Sequence, residues 1–206
     1  MTQFTTDRRT IVKGAAWAVP AISVAAAAPS LDASSLEYTT ITKSFVYSAM
    51  GLFDIGVEVT ASQVPVDVHP GVPLDPISVT STVTIPANLV GLIQSSFLGG
   101  ASHVSGTSVS ESTLSGAYEG TTSTDLTIPL TLIPDSGPLQ LVASGTGLPT
   151  TIAAGTDPGT VTITMGNPAS VLTGRNADGS ENGSVYNSDL SKKSGNDYTL
   201  ATFTIH

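Results

Sequence analysis

Residues 77–85 read ISVTSTVTI, and this stretch decides the fold class of the chain. Its apolar residues Ile77, Val79, Val83 and Ile85 alternate with serine and threonine. Such alternation places apolar side chains on one face of an extended strand and polar side chains on the other. Because Val, Ile and Thr also favour extended backbone, the stretch predicts a strand with one face in a core and one in water.

Further stretches repeat this alternation along the chain. They are DIGVEVTA (54–61), LTIPLTL (126–132), TVTITM (160–165) and TLATFTI (199–205). Segments rich in Pro, Gly, Asn and Asp separate them, as tight turns require. The pattern predicts about eight or nine short strands, with Pro129 on an edge strand or at a bulge because proline donates no ladder hydrogen bond.

Two intervals depart from the strand pattern. In PANLVGLIQSSFLGG (86–100), Leu89, Leu92, Ile93 and Phe97 recur at helical spacing, which predicts one short helix capping an end of the fold. GTSVSESTLSGAYEGTTST (106–124) is polar and weakly patterned, and we predict a long loop or a weak edge hairpin there.

These elements predict an all-β fold. Short strands with frequent turns and a single helix are typical of an immunoglobulin-like β-sandwich, and a closed β-barrel is the alternative. No internal repeat divides the chain, so we expect a single domain over residues 36–206, preceded by a flexible leader over residues 28–35.

The stretch DRRTIVKGAAWAVPAISVAAAAP (7–29) has the three-part order of an export signal. Arg8, Arg9 and Lys13 form a basic start, an apolar middle follows, and alanines provide a small-residue cleavage site near Ala27. The twin arginine resembles the Tat type of signal, although Asp7 stands where serine or threonine is usual, so general secretion stays open. We therefore expect residues 1–27 to be a signal peptide and the protein to be secreted or associated with the cell envelope.

Charge and composition restrict the partners. Cleavage after Ala27 leaves 4 basic and 15 acidic residues, a net charge of −11, which repels nucleic acid. The longest uncharged apolar run, residues 14–28, is shorter than the roughly 20 residues of a membrane-spanning helix, and Pro20 interrupts it. No cysteine is present, so the core alone must stabilise the domain.

Several of these pieces, taken in order, resemble an uncharacterised domain family of exported actinobacterial proteins. The matching segments are VEVTA (57–61), VTIPANLV (83–90), SGPL (136–139), PGTVTI (158–163) and LATFTI (200–205). The resemblance spans residues 36–205. It implies a β-rich fold and no established activity, and the cysteines that the family often carries are missing here, near Thr40 and Asn187.

One cluster suggests a metal site. Asp178, Ser180 and Asn182 alternate as ligands of a calcium loop do, Gly183 takes the turn position, and Asp189 supplies a closing carboxylate. The departures are the serine, an aspartate where glutamate is usual, and the lack of flanking helices. A solvated hairpin turn explains the same Asp-Gly and Asn-Gly pairs and is the preferred interpretation, so we expect no required cofactor.

The remaining chemistry is sparse. His69, His103 and His206 fit no metal spacing, and no Gly-x-Ser-x-Gly nucleophile motif occurs. Lys43 could join Asn187 or Asn196 in an isopeptide bond, with Glu58 as the acid, or be an ordinary surface lysine. We expect a non-enzymatic structural or adhesive module that binds cell-envelope components, or itself through a strand edge. The alternative is a secreted enzyme or ligand carrier with a site built from loops.

Overall fold

The computed structural model describes residues 36–148 and 150–206. One short α-helix, α1 (Ala87–Leu92), continues as a π-helical turn over Ile93–Phe97. The strands are β1 (Tyr38–Ala49), β2 (Phe53–Pro65), β3 (Asp67–Val68), β4 (Pro73–Leu74), β5 (Ser78–Ile85), β6 (His103–Gly116), β7 (Gly120–Leu132), β8 (Leu139–Thr146), β9 (Thr150–Thr151), β10 (Gly159–Met165), β11 (Ala169–Arg175), β12 (Glu181–Lys192) and β13 (Thr199–Ile205).

Eight of these strands form a closed antiparallel barrel. The hydrogen-bonded order is β1-β2-β5-β8-β7-β6-β11-β12, and β12 pairs back with β1. The predicted all-β class is confirmed, whereas the predicted immunoglobulin-like sandwich is wrong and the barrel alternative is right.

The sandwich prediction failed because alternation does not report how sheet edges meet. Inward and outward residues alternate in the same way in a sandwich and in a barrel. The two differ only at the seams, and both seams are short here. β7 meets β8 through the pair Thr127↔Ser144. β12 meets β1 through three pairs that begin at Tyr47↔Lys192.

Strand β6 forks the sheet. One of its edges pairs with β7, while the other pairs first with β11 (His103 to Val109) and then with β10 (Ser112 to Gly116). β10 leads on to β13 and to the two-residue strand β3. At the fork the Gly166 N–H donates to the Glu111 carbonyl over 2.7 Å, and a Cβ on Gly166 would lie only 3.0 Å from that oxygen.

The predicted core alternation is confirmed in β2, β10 and β13. The buried positions there are Ile55, Val57, Val59, Ala61, Val161, Ile163, Met165, Ala201, Phe203 and Ile205. In β7 the alternation holds for Leu126 and Ile128 and then fails, since Leu130 and Leu132 are 52% and 63% exposed. The pairing register shifts beside Pro129, and an inserted residue reverses the faces of a strand, so the predicted bulge is present.

The predicted short helix is present at the predicted residues, and it covers one end of the core as expected. Leu89 and Val90 of α1 and the following Leu98 are buried in the core. Pro86 occupies the N-cap, where its lack of an N–H group costs no helical hydrogen bond.

The polar interval 106–124 is not a loop. It forms most of the hairpin β6–β7, and this hairpin lies within the barrel wall. The hairpin alternative was right about the element and wrong about its place at a sheet edge. The alternation was not recognised as a strand because serines occupy every second position where large apolar residues are expected.

An aromatic cluster fills the gap between β1 and β13. The Tyr198 ring stacks on Phe45 at 5.9 Å and lies 5.0 Å from the Tyr47 ring. The Tyr198 hydroxyl accepts from the Lys193 N–H and donates to the Val46 carbonyl, over 2.7 and 2.6 Å. The buried Tyr47 hydroxyl donates to the Gly166 carbonyl at 3.0 Å. Burial, reinforced by the neighbouring Tyr198, raises the pKa of Tyr47, so it stays a neutral donor.

Replacing Tyr47 by phenylalanine should destabilise the barrel by about 1–3 kcal/mol, because the hydrogen bond to the fork is lost while the ring remains. Urea unfolding measures the change. Tyr186→Phe is the matched control, since within the described residues the Tyr186 hydroxyl makes no hydrogen bond and its ring packs on Phe97. Equal stability of the two variants would show that the Tyr47 hydroxyl does not stabilise the fork.

Candidate functional site

The barrel interior is hollow at one end. A cavity of about 470 Å³ is bounded on one side by the second half of β2 and the first half of β5, and elsewhere by β6, β7, β10 and β13. The opposite ends of β2 and β5, with α1, line a much smaller space of about 70 Å³. The helix end is therefore nearly filled, and the other end is open enough to hold a small molecule.

The large cavity has an apolar floor. Its buried lining residues carry aliphatic, thioether or aromatic side chains, among them Val59, Ala61, Val79, Ile163, Met165 and Phe203. These side chains come from β2 and β5 of the barrel and from β10 and β13 of the branch, so ring and branch form the floor together. An apolar surface of this kind binds the apolar part of a ligand, because burial removes that part from water.

The cavity mouth is polar. Its exposed lining residues are Asp75, Thr121, Thr122, Ser123 and Leu148. We use "mouth" for these five residues. The hydroxyls of Thr121, Thr122 and Ser123 both donate and accept hydrogen bonds. Asp75 is the one ionisable side chain among the described lining residues. The arrangement suits a molecule with an apolar body and a polar end.

Small side chains on β6 keep the space open. Ser110 and Ser112 point to the cavity from positions where an inward residue of a filled barrel would be large. At the helix end of β7, Leu126 and Ile128 are buried instead. This replacement of large residues by small ones is visible in the sequence. The serines at 108, 110 and 112 lie on the same face of the strand as the buried Leu114.

The mouth lies beside the weak seam of the barrel. Residues 121–124 of β7 pair with β6, and the recorded pair between β7 and β8 lies beyond them, at Thr127. β9 pairs with β4 to form a two-stranded flap, and Leu74, Thr150 and Ile152 of this region line the cavity. The Gly71 N–H donates to the Ile152 carbonyl at 2.8 Å and so extends the pairing of these two strands. Leu148, at the edge of the flap, is 84% exposed.

The residues of the predicted calcium loop lie in and after the β11–β12 turn. Asp178 accepts hydrogen bonds from the Ser180 hydroxyl and N–H, which lower the pKa of its carboxyl. The Asn182 amide donates to the Leu98 carbonyl at 2.8 Å, and Asp189 lies on β12 opposite Ala169. The described part of the chain contains no cluster of three His, Asp or Glu side chains placed to hold a metal. The calcium site stays a prediction.

The other singled-out residues lie away from the cavity. His206 contacts Asp67 at 3.0 Å and lies near His69, and His103 contacts the Ser102 hydroxyl at 3.1 Å. The Lys43 ammonium donates to the Thr199 carbonyl. Of the predicted isopeptide partners, Asn196 donates to the Val46 carbonyl at 3.5 Å and Asn187 lies on β12 opposite Val171. The signal residues Arg8, Arg9 and Lys13 and the cleavage position near Ala27 lie outside the described residues.

The chain belongs to a family of unknown function, DUF6801, whose model matches residues 46–201. This confirms the resemblance to an uncharacterised family and assigns no activity. No curated protein and no solved structure matches the chain. Within the described residues, no helix combines the length and hydropathy needed to cross a membrane.

Millimolar calcium should raise the melting temperature of the protein little, because Ser180 already donates to the Asp178 carboxylate and Asp189 lies at the opposite end of the β11–β12 hairpin from the turn. Differential scanning calorimetry with calcium and with chelator measures this. A rise of more than about 5 °C, near 1 kcal/mol or more for a domain of this size, would establish the loop as a site. Such a rise should then vanish in Asp178→Asn and persist in the exposed control Asp135→Asn.

Proposed function

We propose that this protein is an exported, non-catalytic binding module that carries a small amphiphilic molecule inside its barrel. The observation that supports this most directly is the cavity of about 470 Å³, with its buried apolar floor and exposed hydroxyl mouth. Small-molecule sites commonly have volumes of ~300–1,000 Å³ and combine apolar walls with a few polar groups. The proposal favours the ligand-carrier alternative over a purely structural or adhesive role.

Packing energetics support a ligand. Protein interiors are close-packed, and voids larger than a water molecule are few. An apolar void leaves its lining atoms without dispersion partners on one side, which costs stability. A molecule with an apolar body would supply those partners, and burial of its surface would contribute roughly 25 cal/mol per Å².

The lining chemistry favours binding over catalysis. Within the described residues, the cavity lining contains serine and threonine hydroxyls but no histidine to activate one of them. The Ser112 hydroxyl contacts the Met165 thioether at 3.6 Å, which is a weak acceptor. Hydrolase activity at a site built from other loops is the competing function, and the experiment below includes it.

Export and self-association, the two other expected properties of this module, have unequal support. The signal-like residues 7–29 support delivery outside the cytoplasm. Self-association through a strand edge has less support, because each of the eight barrel strands has a hydrogen-bonded neighbour on both sides, over one residue pair at β7–β8 and three at β12–β1. Binding is therefore assigned to the interior of the barrel.

The test is binding of decanol, measured by calorimetry or by displacement of the dye Nile red. Wild-type protein should bind decanol saturably with a stoichiometry of one. Ser110→Leu places an apolar side chain in the cavity, so it should weaken binding at least about tenfold while leaving the protein as stable as wild type or more stable.

The matched control is Ser115→Leu, the same substitution on the exposed face of the same strand. It should bind decanol as wild type does. Equal affinity in both variants, or no saturable binding to wild type, would contradict the proposal. A panel of ester, peptide and glycoside substrates is run beside it, and turnover that is abolished by His69→Ala or His103→Ala would favour the enzyme.

A further inference from the structure

We propose that the cavity selects its ligand by the charge of the head group: it accepts uncharged or cationic amphiphiles and disfavours anionic ones such as free carboxylates. This inference rests on the proposed function and specifies its ligand class. It follows from the distribution of charge around the mouth, which is one-sided.

The mouth contains a negative charge and no positive one. Asp75 supplies an exposed carboxylate there, and the other polar lining residues of the mouth are Thr121, Thr122 and Ser123. A cationic head group placed over the apolar floor would meet the Asp75 carboxylate. An alcohol or amide head group would meet hydroxyls that both donate and accept. A carboxylate head group would meet a like charge.

Every basic side chain of the described residues contacts another part of the protein. Lys43 donates to the Thr199 carbonyl, and Lys193 pairs with Asp54 at 2.8 Å. Lys192 lies over the Tyr198 ring, 5.3 Å from its centre. Arg175 pairs with Glu181 at 3.2 Å. None of the four lines the cavity, so no lysine or arginine among them serves an anionic ligand as a counter-ion.

The wall beside the mouth adds to the negative potential. The hairpin β6–β7, with its turn, carries Glu111, Glu119 and Asp125 and neither lysine nor arginine. Over residues 36–206 the chain has 4 basic and 14 acidic residues, a net charge of −10. A concave site surrounded by one sign of charge attracts the opposite sign and repels its own, and the effect weakens with salt.

Three probes with one chain length test the selection: decanol, decylamine and decanoate, compared at neutral pH and low ionic strength by displacement of Nile red. Because the mouth is solvent-exposed, single charge interactions there change affinity by about two- to fivefold. Decylamine should therefore bind about two- to fivefold tighter than decanol, and decanoate weaker than decanol by a similar factor. Added salt should reduce both differences.

Variants at the mouth assign the selection to Asp75. Asp75→Asn should bring the three affinities closer together, and Asp75→Lys should reverse the order of decylamine and decanoate. Asp135→Asn is the matched control, because it removes one exposed carboxylate outside the lining and should leave the wild-type order unchanged. Decanol affinity should stay constant in Asp135→Asn, and the Asp75 variants are judged by the ratio of decylamine to decanoate affinity, in which any change common to the probes cancels.

The outcomes separate this inference from the proposed function. Binding of decanol with equal or tighter binding of decanoate in wild type overturns the charge selection and leaves the carrier function standing. An unchanged order in Asp75→Lys overturns it as well. Failure of all three probes to displace the dye or to bind by calorimetry overturns both.

Discussion

Strand β6 is the element on which the rest of the structure depends. Its hydrogen bonds to β7 on one edge and to β11 and β10 on the other close the ring and create the branch to β13. The branch needs a close backbone approach at Glu111, which Gly166 permits. The Tyr47 hydroxyl on β1 donates to the Gly166 carbonyl at 3.0 Å. Closure of the barrel is therefore coupled to the aromatic cluster that Tyr47 shares with Phe45 and Tyr198.

The same strand produces the cavity. A barrel of this size is normally filled by inward side chains, and the helix end follows that rule with Leu126, Ile128 and the side chains of α1. At the other end, the inward residues of β6 are Ser110 and Ser112. Their backbone pairs normally with the neighbouring strands, but their small side chains leave space inside. The hollow interior is thus a property of a few small residues on a well-paired strand, and binding is proposed on that basis.

Much of the fold could be predicted because local alternation determines which face of a strand is buried. Val57, Ile163 and Phe203 are buried as the pattern indicates, and Leu89 lies on a helix as its spacing indicates. The choice between sandwich and barrel could not be made, since it depends on seams such as Thr127↔Ser144, which join residues distant in sequence. Leu130 was misplaced because the bulge beside Pro129 reverses the strand faces.

The candidate site was missed for a related reason. Metal-ligand spacing marked only the turn at Asp178, for which a hairpin turn was the preferred interpretation, whereas the cavity is formed by residues with little chemistry of their own. Ser110 and Ser112 looked like loop residues because inward positions are expected to be apolar. The signal in the sequence was their spacing of two and four residues from Leu114. This spacing places them on its face of a strand and identifies a strand whose inward side chains are small.

The most direct test of the account is a methyl NMR titration with decanol on protein labelled at the methionine methyl groups. Met165 lies in the floor of the large cavity, while Met50 is 52% exposed and lies beside the small one at the helix end. The account predicts a saturable shift of the Met165 signal with the Met50 signal unmoved. Saturation that leaves Met165 unchanged, or that shifts only Met50, would contradict a ligand site inside the barrel.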